Sequence, residues 1–437
     1  MQIVFIMKNV ILLFVLFFSL AVSAQELPEY KIIRYDSTEV KGYYFLSSNL
    51  GVIMLDKDVN VVYYKPAKNF SDYTLESNGL MVYANHIKLF LMDSTFQLVD
   101  SFGLKNNIHF DSHDRLILPD GNMLLLGHEF VNMDISPYHK GNKNIKYDTA
   151  SIIFPVIQEQ DNQHKVVFEW YGKEYFSLSD ADSLFVKHDI HSNAFAMDGD
   201  GNILLSSKNL NEITKINRQT GAIIWRFGGK RNEFKFVNCP VPFYGQHDIK
   251  KMPNGHYTLF DNGDYPIPHH ARAMEFELDE TNKIATLLWS YETDMITEGR
   301  GSVQRLIDGN TLIGLGRRRG SDLCFEVVNP SGNLILQVSG LFAYRVKNYP
   351  SLPFRLHRPI ITCFDSAGVK YLDAGAGYSS YKWNTGETTR IVPVKKEGSY
   401  FVFTPYGDGG FISSEKFIIA DFSKSCGLKT SIKQKKK

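Results

Sequence analysis

The chain has 437 residues, with 48 Lys and Arg against 47 Asp and Glu, a formal net charge of +1, and 13% aromatic residues. This balance leaves no basic footprint for nucleic acid and none for an anionic membrane surface, while the aromatic content suits a packed, sheet-rich fold. Four cysteines, Cys239, Cys324, Cys363 and Cys426, show no CxxC spacing, which argues against a structural zinc site.

The chain opens on a targeting pattern. Lys8 supplies a short positive region, residues 10–22 are apolar, and Val22-Ser23-Ala24 offers small residues for cleavage before Gln25. The apolar run is short for a membrane span, so residues 1–24 read as a signal peptide and no span is expected after its removal. Export to the periplasm or the cell exterior follows, and it permits disulfides. Cys363 and Cys426 bracket the C-terminal segment and can pair if their backbones approach closely enough.

From residue 25 onward a hairpin pattern recurs. Leu55-Asp56 leads to Val61-Val62-Tyr63, Met92-Asp93 to Leu98-Val99, and Ile157-Gln158 to Val166-Val167-Phe168. Ile216-Asn217 leads to Ile223-Ile224-Trp225, Leu278-Asp279 to Leu287-Leu288-Trp289, and Val328-Asn329 to Leu334-Ile335-Leu336. A second signal alternates with it: the turns Asp120-Gly121, Asp200-Gly201, Asn254-Gly255 and Asp308-Gly309, which supply the positive φ of tight hairpins. The last three glycines stand 54 residues apart and the first gap is 80, which predicts an insertion near residues 130–160. Two hairpins per unit make a four-stranded sheet, and repeated four-stranded sheets make a propeller. The expectation is therefore an all-β chain: a six-bladed β-propeller over residues 25–355, against the alternative of an array of sandwiches. Residues 356–426, with strand-like runs, Gly-rich turns and Trp383, predict a small Ig-like β-sandwich for binding or spacing. Residues 427–437 form a basic tail.

In a propeller the first strand of each sheet lines the axis. Eight residues before the turn glycines stand His113, Asn193, His247 and Gly301; seven after them stand His128, Lys208, Asn262 and Gly316. His191 lies two before Asn193 and is expected on the same strand face. Imidazoles thus meet amides and a cation at one end of several units. Neutral imidazole is a nucleophile and a proton carrier. Lys208, Asn193 and Asn262 can bind anionic oxygens, with Arg272 and Arg317-Arg318-Arg319 adding charge. Such a set suits a sulfate or phosphate ester. No paired glycosidase carboxylates, phosphate loop, dinucleotide fingerprint or Gly-x-Ser-x-Gly elbow is present. His109, His256, His269 and His270 read as loop or surface residues, and Asp114, Asp189 and Asp248 as groups that orient backbone. The cluster His188-Asp189-Ile190-His191 permits a metal reading, but His188 would point away from His191 in a strand, so no metal is assigned.

At these residues the chain resembles the bacterial aryl-sulfate sulfotransferase family. The resemblance rests on Ser112-His113-Asp114, His191-Ser192-Asn193, Ile223-Ile224-Trp225-Arg226-Phe227-Gly228-Gly229 and Gly245-Gln246-His247-Asp248, and covers most of residues 30–345. It implies a six-bladed propeller that moves a sulfuryl group from an aryl sulfate donor to a phenolic acceptor, with no cofactor and no nucleotide donor. It further implies that His247 is the nucleophile that becomes sulfohistidine. His113 and His191 would flank the sulfate as acid and base, and Asn193 would bind a sulfate oxygen. Ser302 is the loose match to a hydroxyl from a later unit. The family has an arginine where this chain has Lys208, which keeps the charge and loses the bidentate fork. Two rival readings stand beside it: a non-catalytic propeller that binds a ligand or partner, and a metal-dependent ester hydrolase.

Overall fold

The six repeated hairpins form, each as the third and fourth strands of a sheet, and the four Asp/Asn-Gly turns join first to second strands. Gly121, Gly201, Gly255 and Gly309 all have φ between +81° and +89°, the conformation that selects glycine there. The computed structural model describes residues 28–426 apart from 68–69, 139–147, 182–188, 265–267 and 319. Residues 1–24, expected to be a signal peptide, the tail at 427–437, His188 and Arg319 lie outside the described residues.

Six sheets follow one another. The second runs outward from Ser71–Leu75 through Met81–Ala84 and Leu89–Met92 to Leu98–Phe102. The third uses His109–Ile117, Met123–Asp134, Thr149–Gln160 and Val166–Tyr171, and the fourth Ser192–Met197, Ile203–Ser207, Glu212–Ile216 and Ile223–Gly228. The fifth has His247–Lys251, Tyr257–Asp261, Arg272–Asp279 and Ile284–Glu292, with Lys235–Val237 added in parallel outside. The sixth has Ser302–Arg305, Thr311–Gly314, Leu323–Val328 and Leu334–Ser339. The first sheet draws Tyr43–Ser48, Gly51–Leu55 and Val61–Pro66 from the N-terminal part, but its innermost strand is Ala343–Tyr349. In exchange, Lys31–Tyr35 pairs on the outside of the sixth sheet. The two chain ends thus stitch the first and last sheets together. Each innermost strand packs beside that of the next sheet, and Ala343–Tyr349 lies beside Ser71–Leu75, which closes the circuit.

Strand periodicity explains the packing. Both faces of each sheet are covered by a neighbour, so strands read as continuous apolar runs whose alternate residues face opposite sides. Leu124 and Leu126 enter the cluster shared with the fourth sheet, while Met123 and Leu125 enter the one shared with the second. Between the fourth and fifth sheets Phe227 packs edge-on against Phe234, Phe243 and Phe276. Each fully buried Phe of this kind contributes about 1.5–3 kcal/mol.

The expected insertion is the extension of one hairpin: Met123–Asp134 and Thr149–Gln160 each run 12 residues and stay paired throughout. In the C-terminal segment, Gly410–Ser413 hydrogen-bonds to Val61–Pro66, so part of it prolongs the first sheet. Val402–Tyr406 and Lys382–Trp383 continue that prolongation, and the remaining strands form two small sheets that share a core of Trp383, Leu372, Val392 and Val402 with it. Cys363 and Cys426 are disulfide-bonded, with Cα atoms 5.5 Å apart. No helix among the described residues is long and apolar enough to cross a membrane.

Candidate active site

The first strands do not run straight past the axis. Five of them break register with their second strands near the same repeat position: between Ser71 and Thr74, between Leu125 and Gly127 opposite His113, between Ser192 and Ala194, between His247 and Lys250, and between Leu46 and Ser48 opposite Tyr344. A bulge re-aims a side chain and bends the strand. Asp72 and Asp248, at two of these bulges, have φ of 47° and 55°. The residue before each bulged aspartate, or its equivalent, points into one end of the ring. Ser71, His113, Asn193, His247 and Tyr344 occupy these positions.

The aspartates bind the ring below this layer. Asp114 Oδ2 accepts from the backbone N–H of Phe195 at 3.0 Å, and Asp248 Oδ2 from that of Val303 at 3.1 Å, each bond reaching the next sheet. Arg345, 1% exposed, donates to Asp72 and pairs with Asp114 and Asp248; Lys347 also holds Asp248. Burial of so many charges is tolerable only because each is paired.

His247 is 2% exposed. Its Nδ1 donates to Asn262 Oδ1 at 2.6 Å and lies 3.0 Å from the carbonyl of Gly245. Asn262 can only accept here, since its amide nitrogen donates to Thr297 Oγ1 and to the Arg300 carbonyl. The proton is therefore fixed on Nδ1, and the Nε2 lone pair faces the site, where it accepts from the Arg300 backbone N–H at 2.9 Å. Burial first, then the charges of Lys208, His191 and His113, hold the His247 pKa well below the ordinary value. The ring is neutral at pH 7.

His113 and His191 pack on each other edge to face, with ring centroids 4.8 Å apart, and the charges of both reach His247. Each leans on a carboxylate two residues before it: His113 Nδ1 on Asp111, and His191 Nδ1 on Asp189 Oδ2 at 3.1 Å. Burial pulls the His113 pKa down, but the charge and hydrogen bond of Asp111 outweigh it, and the net shift is upward. His191 is not on the regular strand expected; it precedes Ser192–Met197 with φ +30°, because the bulge begins there. His128 pairs with His109 rather than facing His113, since the bulge displaces the register. Burial lowers its pKa.

The structure places the remaining candidates as follows. Asn193 is fully buried, with its amide nitrogen on the Gln246 carbonyl at 2.8 Å and its Oδ1 without a hydrogen-bond partner among the described residues. Lys208 follows Ile203–Ser207 and donates its backbone N–H to the His191 carbonyl, so its stem rises beside the histidines. Its Nζ is held by Asp264 at 2.8 Å and by the Glu298 carbonyl at 2.9 Å. Arg272 is engaged by Asp261 and by the carbonyls of Val241 and Pro242. Ser302 is fully buried and bridges to the backbone of Val346. These two act on the framework, and Asn262 acts on His247. His269 and His256 stand outside the strands, as expected of loop residues, and pair there with Asp261 and Glu275. Among the described residues no group of three or more His, Cys, Asp or Glu is arranged to hold a metal ion.

Three contributors escape the residue counting: Tyr344, Arg300 and Asp111. A cavity of about 540 Å³ opens over the layer, lined by Ser71, Asp111, His113, His128, Arg300 and Tyr344, with Phe70, Phe110 and Phe342 as aromatic walls. Tyr344 stacks edge-on to His113 and donates its hydroxyl to the Asn193 carbonyl at 3.2 Å. A neutral imidazole, two carboxylate-backed imidazoles and an aromatic cavity can together take an ester whose leaving group needs a proton.

Comparison with known proteins gives the chain's family. Solved structures similar to the chain include a protein of unknown function from Bacteroides caccae, at 11% identity and a TM-score of 0.47, covering 70% of this chain and 98% of that one. Another is virginiamycin B lyase from Staphylococcus aureus, at 13% identity and a TM-score of 0.38, covering 79% and 96%. No argument rests on likenesses this distant. Among curated proteins none matches the sequence. The family model for arylsulfotransferase (ASST), by contrast, matches residues 31–323, which include His113, His191 and His247, and the chain therefore belongs to the arylsulfotransferase family.

Proposed function

We propose that this sulfotransferase-family chain transfers a sulfuryl group from an aryl sulfate to a phenol in two steps through a sulfohistidine on His247. The observation that carries the reading is geometric: His247 holds its proton on Nδ1 against Asn262 and leaves Nε2 unprotonated, while His113 and His191 pack together and each lean on a carboxylate. The pKa directions, His247 downward and His113 upward, agree with it. Titratable groups pushed apart in this way divide into nucleophile and acid.

In the first step Nε2 attacks sulfur, the N–S bond forms and the S–O bond to the aryl group breaks. The leaving phenolate takes the proton of His113, with His191 beside it. The positive charge left on the sulfated ring is shared through Nδ1–H with Asn262 Oδ1 and the Gly245 carbonyl. The Arg300 N–H, released from Nε2, becomes available to a sulfuryl oxygen. In the second step the acceptor phenol gives its proton back to His113, its oxygen attacks sulfur, and the N–S electron pair returns to Nε2. Water in the acceptor's place would make the chain a sulfatase.

On the same reading the circuit of sheets is a six-bladed propeller over residues 25–355. Residues 356–426 are an Ig-like module, and residues 1–24 direct the chain to the periplasm or beyond. The test is incubation with p-nitrophenyl sulfate, with and without phenol, followed by mass analysis of the peptide that carries His247. The expected result is one added sulfuryl group without phenol and faster nitrophenol release with it; His247→Asn abolishes both. An Asn variant that retains full rate excludes the nucleophile.

A further inference from the structure

Of the cations that sequence reasoning assigned to the anion, Lys208, Arg272 and Arg317 already have carboxylate partners: Asp264, Asp261 and Glu298 respectively. The buried Arg345 is surrounded by Asp72, Asp114 and Asp248. Arg300 differs. No carboxylate lies within salt-bridge distance of its guanidinium among the described residues; instead the group lies over the ring of Phe342 at 4.6 Å and that of Tyr344 at 6.0 Å. It lines the same cavity as His113. A half-buried guanidinium without a counter-ion is costly, and rings compensate only part of what a carboxylate or sulfate would supply.

The backbone explains why the group sits there. Arg300 has φ +64°, between Gly299 and Gly301 at +155° and +103°. This conformation costs about 1–2 kcal/mol in a residue with a Cβ. It directs the Arg300 N–H at His247 Nε2 and its carbonyl at the Asn262 amide. The same turn that touches the nucleophile therefore carries the unpaired charge into the cavity above it.

We infer that Arg300 is the anion-binding residue of this site, its guanidinium gripping the sulfuryl oxygens of an aryl sulfate in the place that Lys208, tied to Asp264, leaves open. The inference rests on the sulfotransferase reading for the ligand's class, and on geometry for the residue. A planar fork suits the tetrahedral oxygens better than an ammonium does. Burial, which lowers the Arg300 pKa, agrees with a cation that lacks a partner until ligand arrives.

The test is calorimetric binding of p-nitrophenyl sulfate, measured with His247→Asn added so that no sulfuryl group is transferred, to the full chain and to its Arg300→Asn, Arg300→Lys and Lys208→Met variants. Asn tolerates the positive φ and keeps the N–H to His247, so the backbone is preserved. R300N is expected to weaken p-nitrophenyl sulfate about 10- to 100-fold, the range for hydrogen bonds to a charged group. R300K should recover part of that, Lys208→Met should lose less than R300N, and R300N should bind neutral phenol as the parent does. An R300N protein that binds the sulfate ester as tightly as its parent, or loses phenol equally, overturns the inference. So does a parent that binds neither p-nitrophenyl sulfate nor inorganic sulfate. Binding of the ester through Arg300 with no turnover when His247 is intact refutes the transfer reading and leaves Arg300 as the anion site.

Discussion

Replacing Asp111 by Asn tests the division of labour in the pocket without moving its atoms. Asp111 Oδ1 accepts from the backbone N–H of His113 at 2.9 Å as well as from its ring, and an amide oxygen can keep both bonds. Only the charge is removed. That charge is present across any practical assay range, because His113 and His191 overcome the upward pull of burial and hold the Asp111 pKa at about 2. His113 also faces Asp189, Arg345, His191 and the Tyr344 ring; of these, Asp189 raises its pKa, Arg345 lowers it, and the Asp111 contribution exceeds both. An opposite charge at contact distance moves a pKa by about 1–3 units, so D111N should drop the His113 value by that amount. The sign follows directly. In the proposed transfer, protonated His113 is the acid for the leaving phenolate, and that form is lost as pH rises through its folded pKa. The basic limb of the kcat profile for an aryl sulfate with a poor leaving group therefore moves to lower pH by about 1–3 units, and rates above both limbs fall about tenfold per unit. Below both limbs the two proteins converge. A basic limb that stays where the parent has it refutes His113 as the general acid.

Further outcomes follow from neighbouring contacts. The acid side of the same profile should stay flat below the ordinary histidine range, since burial and Lys208 keep His247 neutral; a rate that halves near the ordinary histidine pKa would contradict this. Arg345→Met leaves Asp72, Asp114 and Asp248 buried without their shared cation and should destabilise the fold by about 3–5 kcal/mol in urea unfolding. Cys363→Ser opens a bridge of sequence separation 63, worth up to about 4 kcal/mol by loop entropy, and should loosen the C-terminal segment to proteolysis while transfer persists. A chelator should leave turnover unchanged, and loss restored by a divalent ion would favour the metal-dependent hydrolase.

Local chemistry made much of this legible from the residues alone. An Asp-Gly or Asn-Gly pair between apolar runs fixes a hairpin by its own φ, so counting from the turn reaches His113, Asn193 and His247 without knowledge of the fold. The same count from Asn78-Gly79, where Gly79 has φ +85°, would have reached Ser71 in the cavity wall. The closing strand was not legible, because Ala343–Tyr349 joins Tyr43–Ser48 across nearly the whole chain. No turn marks it, so Tyr344 and Arg345 stayed hidden. Lys208 was found, but its engagement with Asp264 depends on a loop from the next sheet. Arg300 lies on a connection, where periodicity is silent.

The bulges join these strands of argument. A straight inner strand would alternate its side chains between the two neighbouring sheets and send none along the axis. Positive φ at Asp72 and Asp248 breaks that alternation, and the carboxylates then find the backbone N–H of Val303 or the guanidinium groups of Arg115 and Arg345. Each aspartate thereby offsets the cost of the break it permits, and the residue before it is turned toward the centre. Where the pair is His247-Asp248, one residue builds the frame and the other is released for chemistry. The fourth sheet has Asn193-Ala194 at that place, with no carboxylate, and the Asp114 of its neighbour reaches across to Phe195 instead. Replacing Asp248 by Ala should therefore cost activity through misplacement of His247, with kcat falling more than KM rises, even where the protein still folds. A variant with parental kcat would mean that the bulge does not position the nucleophile.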